Sequence, residues 1–387
     1  MTYEELTALY GFEMPGYARD YYDSFIGAYD RSAPVLSRED ADLVCSACSL
    51  PDEARSELIR SASAVDSDDG AHIAGSFLVH LCVYARLPWQ NRIYSENLFT
   101  VPGLYPEQAN WVIVARALAH TLRDKNPPED LNAENTGSFR GYTKSCYNSR
   151  GYWGILEWNW NMLGAGGCMF MFGALKFVPD EFGRDFQVIT DGNSFVGLVG
   201  GEYAVNAEGE LVSDGEPSVG RTVFTEDDEK YYGCPVTRDG KVSLTPVSFP
   251  KSVWHDSLRE GTPVLSIHIP SKIDYTPDVI RESCLKAIDF YRGFYPEFKP
   301  AAICGYSWIF APQLARVLPS DSNILSVNRT LHILPTTASY GPDCRFIREG
   351  SSLQQRVAAA EAEGTRFRYS LMFVPLDELN SLSESRA

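Results

Sequence analysis

Positive charge is scarce in this chain: 34 Lys and Arg stand against 51 Asp and Glu, a formal net charge of −17. Nucleic acids and anionic membrane surfaces are held through cationic patches, so neither is expected as a partner. An anionic ligand has to be met by local dipoles and a few placed cations. Long apolar runs are missing too. No stretch approaches the roughly 20 residues that span a bilayer. Met1 to Gly11 carries acidic residues where a secretory leader has a basic region and then an apolar run. The nine cysteines are an odd number scattered along the chain, the usage of a reducing cytoplasm rather than of a disulfide framework. Cys45 and Cys48 have the spacing of a metal or redox half-site. No second Cys or His pair stands at zinc spacing, so no metal is expected and both read as helix residues.

Apolar material is plentiful. A hydrophobic fraction of 44% and an aromatic fraction of 12% suffice for two cores or one elaborated domain. Residues 1 to 135 follow a helical period, with candidate helices over Arg38–Leu50, Asp52–Val65, Ile73–Ala85 and Pro106–Arg123. Pro127-Pro128 and the polar run to Ser138 mark a loop or boundary. From Cys168 the pattern changes to short β-branched and aromatic runs (CMFMFGALKFV, FQVI, SFVGLV, EYAVN, KVSLTPV) divided by Gly, Asp and Asn turns. Later come a strand candidate over Ile324–Leu334, an alanine-rich helix over Leu353–Ala362 and a last strand over Phe367–Val374. The class expected is α+β: a mainly helical domain over 1–135, a mixed sheet flanked by helices over 136–378, and a tail over 379–387.

Val264 to Ile324 is the most informative stretch. VLSIHI reads as a strand buried on both faces, stopped at Pro270. Thr276 followed by Pro277 is an N-cap with proline at the first helical position, and Val279, Ile280, Cys284, Ala287, Ile288 and Tyr291 recur at helical spacing. AAICGYSWIF is the next strand. A strand, a turn and a helix N-terminus make a usual seat for an anion.

TPVLSIHIP (262–270), CGYSW (304–308) with PQLARVLPSDSNI (312–324), and FMFGALKF (170–177) resemble the GNAT-like C-terminal domain of bacterial acyltransferases. YWGILEWNW at 152–160, Trp254 and SSLQQRVAAAEAEGTRFR at 351–368 fit the same resemblance, which spans roughly residues 140 to 375. It implies a helical partner domain at the N-terminus and acyl-CoA as co-substrate, held where the fourth and fifth strands splay. Carried onto this chain, the backbone at Ser266 and Ile267, the turn at Ser271 and Lys272, Thr276 and Trp308 are the implied acyl-CoA contacts. One departure is plain. The family's superfamily has a glycine-rich loop at the pyrophosphate, and this chain has Pro270-Ser271-Lys272-Ile273-Asp274-Tyr275. Without glycine, backbone approaches phosphate less freely.

The residues themselves offer three candidates for chemistry. His268, at a strand end and on the face of Ser266 and Val264, is a candidate base or orienter, or else a half-buried histidine bonded to backbone. Cys304 is a candidate nucleophile and, more commonly for an apolar strand, a small core residue. Ser307, or a nearby tyrosine, is a candidate proton donor to a departing thiolate. His332 is an outside candidate for acid–base work, and Trp308 reads as a core anchor or an acyl or adenine wall. The expectation is direct acyl transfer from acyl-CoA to an amine or hydroxyl of a small-molecule acceptor in the cytoplasm. The rivals are a non-catalytic module using the same cleft and a thiol or serine hydrolase built on Cys304, Ser307 and His268. Acceptor identity, acyl length and oligomeric state leave no mark in the sequence.

Overall fold

The computed structural model of the chain describes residues 1–85, 98–183, 185–344 and 347–381. Two compact units are present, Met1–Met171 and Phe172–Ala387. The first is helical: α1 (Tyr3–Thr7), α2 (Tyr22–Ala28), α3 (Arg38–Ala47), α4 (Asp52–Ser67), α5 (Asp69–His80), α6 (Pro106–His120), α7 (Glu129–Arg150) and α8 (Trp158–Ala165). α3 begins at Ser37, whose hydroxyl accepts the Asp40 N–H, and α5 at Asp68, whose carboxylate accepts from Ala71. From Trp111 to Ala119 α6 is apolar and buried at every position but Arg116, the mark of a central helix; α3, α4, α5 and α8 pack on it. α5 and α6 each run on into a single π-type turn, Leu81–Ala85 and Thr121–Lys125. The sequence break expected near residue 135 lies inside α7. Cys45 and Cys48 are buried in this core, and no metal-binding group of three or more side chains occurs among the described residues. No described helix is long and apolar enough to cross a membrane.

The second unit is built on sheets. Its strands are β1 (Phe170–Phe172, begun in the first unit), β2 (Leu175–Glu181), β3 (Phe186–Thr190), β4 (Phe195–Val199), β5 (Ala204–Val205), β6 (Leu211–Val212), β7 (Gly220–Arg221), β8 (Phe224–Glu226), β9 (Lys230–Gly233), β10 (Pro235–Val236), β11 (Val247–Pro250), β12 (His255–Leu258), β13 (Pro263–His268), β14 (Ala302–Ser307), β15 (His332–Tyr340) and β16 (Phe367–Pro375). Three helices join them: α9 (Pro277–Phe294), α10 (Asn323–Asn328) and α11 (Ser352–Ala362). The main sheet has six strands in the order β1-β2-β13-β14-β16-β15. All its neighbours from β2 to β15 are antiparallel except β13 and β14.

The segment between β2 and β13 folds into three small sheets. One of them, β10-β4-β3-β12, covers a face of the main sheet: Phe186, Val188, Val199 and Leu258 form one core with Val264, Cys304, Leu334 and Phe373. α9 covers the other face, where its Tyr291 hydroxyl donates to the Phe177 carbonyl at 2.8 Å.

Two expected elements differ. Ile324–Leu334 is not one strand: Ser322 accepts the Leu325 N–H and starts α10, and β15 begins only at His332. Ser322 thereby caps the helix that follows it. KVSLTPV is mostly irregular, with a single bridge at Val242 to Val236 and a strand from Val247.

Candidate active site

β13 and β14 are aligned in parallel at Leu265↔Ile303 and Ser266↔Cys304, and no further pair follows. Both strands continue, β13 to His268 and β14 to Ser307. Their outer edges remain paired all the way, His268 with Lys176 and Ser307 with Ser370. The sheet therefore opens between two strands that are each still held in place from outside. Gly305 sits at the first unpaired position of β14, where a Cβ would lie 2.9 Å from Ile267 and 3.3 Å from Phe310; only glycine lets these side chains close under the gap.

α9 follows the end of β13 across residues 269–276. Thr276 holds the N-cap position with extended backbone and Pro277 at N1, as the sequence implies, but its hydroxyl makes no cap hydrogen bond. The helix-start amides are left to other acceptors. In the turn between, Lys272 has φ +66°, a left-handed conformation that glycine normally supplies and that costs a lysine of order 1 kcal/mol. The missing glycine is thus replaced in geometry, with an ammonium-bearing side chain at the bend. Ser271 and Lys272 are both exposed.

The remaining expected residues separate. Ser266 is paired on both sides, and its hydroxyl donates to Asp180 Oδ2 at 2.8 Å. Ile267 is buried and is the first residue of β13 past the last cross-strand pair. His268 is half-buried at the strand end. Cys304 is 3% exposed beneath the covering sheet, and burial, with Asp180 as a lesser cause, pushes its thiol well above the ordinary value. A protonated thiol without access to solvent has the properties of a core residue. Ser307 lies three residues on and so faces the opposite side of the strand; its hydroxyl accepts the Ile309 N–H at 3.4 Å and starts a 3-10 turn. Cys304 and Ser307 are therefore not brought together as the hydrolase arrangement requires. Trp308 packs in the cluster of Leu314, Tyr340 and Val357, and its carbonyl accepts from the Tyr340 hydroxyl at 3.3 Å. His332 is stacked 4.7 Å from Phe373 and lies 2.9 Å from Glu378. Burial, ahead of the opposing Glu378 carboxylate, lowers its pKa.

Two side chains at this place escaped sequence reading. Asp180 is a buried carboxylate in β2 that also accepts the Glu181 N–H at 2.8 Å; in a run such as LKFVPDE it looks like a strand end. Tyr306 is 52% exposed, although an aromatic residue in CGYSW reads as core.

The family profile described as GNAT-like C-terminal domain matches residues 169–370. Among solved structures, the chain is similar to an acyltransferase mutant in complex with octanoyl-CoA (TM-score 0.55, 16% identity, 97% of this chain and 100% of that chain). It is similar also to an acyltransferase in complex with decanoyl-CoA and teicoplanin (TM-score 0.54, 16% identity, the same coverage of 97% and 100%). At this identity the likeness concerns the fold. None of the curated proteins matches the chain.

Proposed function

The chain belongs to the GNAT-like C-terminal domain family, and from that premise we propose that it moves an acyl group from acyl-CoA to an amine or hydroxyl of a small-molecule acceptor by direct transfer. The observation that carries this reading is the parallel pair that stops at Ser266 and Cys304 while both strands run on. Such an opening takes a thin chain, the pantetheine arm, edge-on between the unpaired strands. The α9 start, the Lys272 bend and Ser271 then meet the phosphates with amide dipoles and one ammonium, the local means an acidic chain needs. The fold neighbours bound to octanoyl- and decanoyl-CoA support the same co-substrate class.

Main-chain groups past the last pair, from Ile267 on, polarise the thioester carbonyl as an oxyanion site does. His268 takes the proton of the attacking acceptor, and Ser307 gives one to the departing thiolate. Cys304 has no part in the chemistry. The replaced phosphate loop favours one rival, a module that binds acyl-CoA without turnover. Octanoyl-CoA at about 100 times its dissociation constant stabilises a single-site protein by roughly 2.7 kcal/mol, which raises Tm measurably. No shift with acetyl-, octanoyl- or decanoyl-CoA at millimolar concentration overturns the reading. A shift without CoA release in the presence of amine acceptors selects the non-catalytic module.

A further inference from the structure

Tyr306 differs from every other large side chain at the opening. It is half exposed, yet it does not swing freely. Its ring is stacked on Tyr369 at 5.5 Å and 19°, and Tyr369 in turn lies 5.2 Å from Tyr340. Thr336 holds Tyr369 from the next strand, its hydroxyl donating to the Tyr369 carbonyl at 2.6 Å. One side of the ring is therefore backed by aromatic side chains, and half of the residue is open.

The position of that open half is set by strand alternation. Tyr306 follows Cys304 by two residues and shares its side of the sheet, as His268 shares the side of Ser266 and Val264. α9, whose start is assigned to the phosphates, covers the opposite side. A ligand lying on Tyr306 thus approaches the opening from the side of His268, across the sheet from the phosphates. That is the side from which a nucleophile reaches the carbonyl.

We infer that Tyr306, backed by Tyr369, is a specificity-determining platform for an acceptor that carries an aromatic ring. The inference rests on the acyl-transfer reading of the same opening. A planar face held flat at fixed orientation rewards a planar partner, through stacking as well as area, by roughly three- to tenfold in affinity over an alkyl group of equal size. The net charge of −17 directs the choice to neutral or cationic aryl compounds and away from anionic ones.

The test uses the full chain saturated with CoA and two probes, 2-phenylethylamine and hexylamine, in saturation-transfer NMR. The phenyl protons should take up about three- to tenfold more saturation than the hexyl methylenes. This preference should persist in Tyr306→Phe and vanish in Tyr306→Leu, which keeps the apolar bulk and removes the ring. Equal uptake by the two probes, or a preference that survives Tyr306→Leu, overturns the platform. Octanoyl-CoA binding is measured on the same samples. If it is intact while the aromatic preference fails, only the platform falls; if the wild-type chain does not bind octanoyl-CoA, the acyl-transfer reading falls first.

Discussion

Cys304 and Tyr306 stand two residues apart on one strand and one face, and one is 3% exposed while the other is 52% exposed. The first shares the core between the two sheets with Val199 and Val236 of the covering sheet, beside its strand partner Phe373. The second has passed the end of that cover. Nothing in their side-chain chemistry demands the difference; the change comes from where β13 and β14 part and where the covering sheet stops. A closed base thus supplies stability, and an open end, still held by β2 and β16 on the outside, supplies the proposed site.

The comparison can be broken first at the open end. His268→Ala should lower turnover with octanoyl-CoA by about 100- to 10,000-fold, the span of a lost general base, with octanoyl-CoA affinity within about twofold of wild type. An unchanged rate removes His268 from the chemistry. Next comes the stability gradient along β14. Ile303→Ala, at the fully buried base, should cost about 2–5 kcal/mol in urea unfolding, while Tyr306→Ala at the exposed end, which gives up its stack on Tyr369, should cost only about 0.5–1.5 kcal/mol. Similar costs for the two would mean that the end is as closed as the base. The smallest effect is a pH dependence of the base alone. His332 is held below its usual 6.5 by burial, so below that pH the unfolded chain binds a proton that the folded chain refuses. Stability should therefore be level above pH 6.5 and fall as pH drops from there toward the lowered folded value. His332→Gln should flatten that limb of the Tm-against-pH curve.

What could be read from the chain follows the same division. β13, α9 and β14 were legible because their apolar spacing and the Thr276-Pro277 start are local signals. α10 was not, since a Ser-Asp-Ser-Asn turn can cap a helix on either side and only Ser322's bond to Leu325 decides. The π-type turns that extend α5 and α6 keep a helical apolar period and so look like plain helix. At the site, His268 and Ser307 stood out by residue type and position. Tyr306 did not, because an aromatic residue in an alternating strand is core until the register shows that its neighbour strand has left. Asp180 was hidden for the complementary reason: its partner Ser266 is 86 residues away.

That separation has a consequence for how the molecule comes to exist. β2 and β13 cannot pair until the whole stretch between Glu181 and Pro263 has been drawn into a closed loop, and closure of a flexible loop of that size costs about 4 kcal/mol of chain entropy. The local hairpins within the loop, β3–β4, β5–β6 and β8–β9, can shorten it before it closes. Folding should therefore run from the inserted hairpins outward, with the central strand that carries His268 entering the sheet late. A chain caught before that step has its hairpins formed and no opening at all.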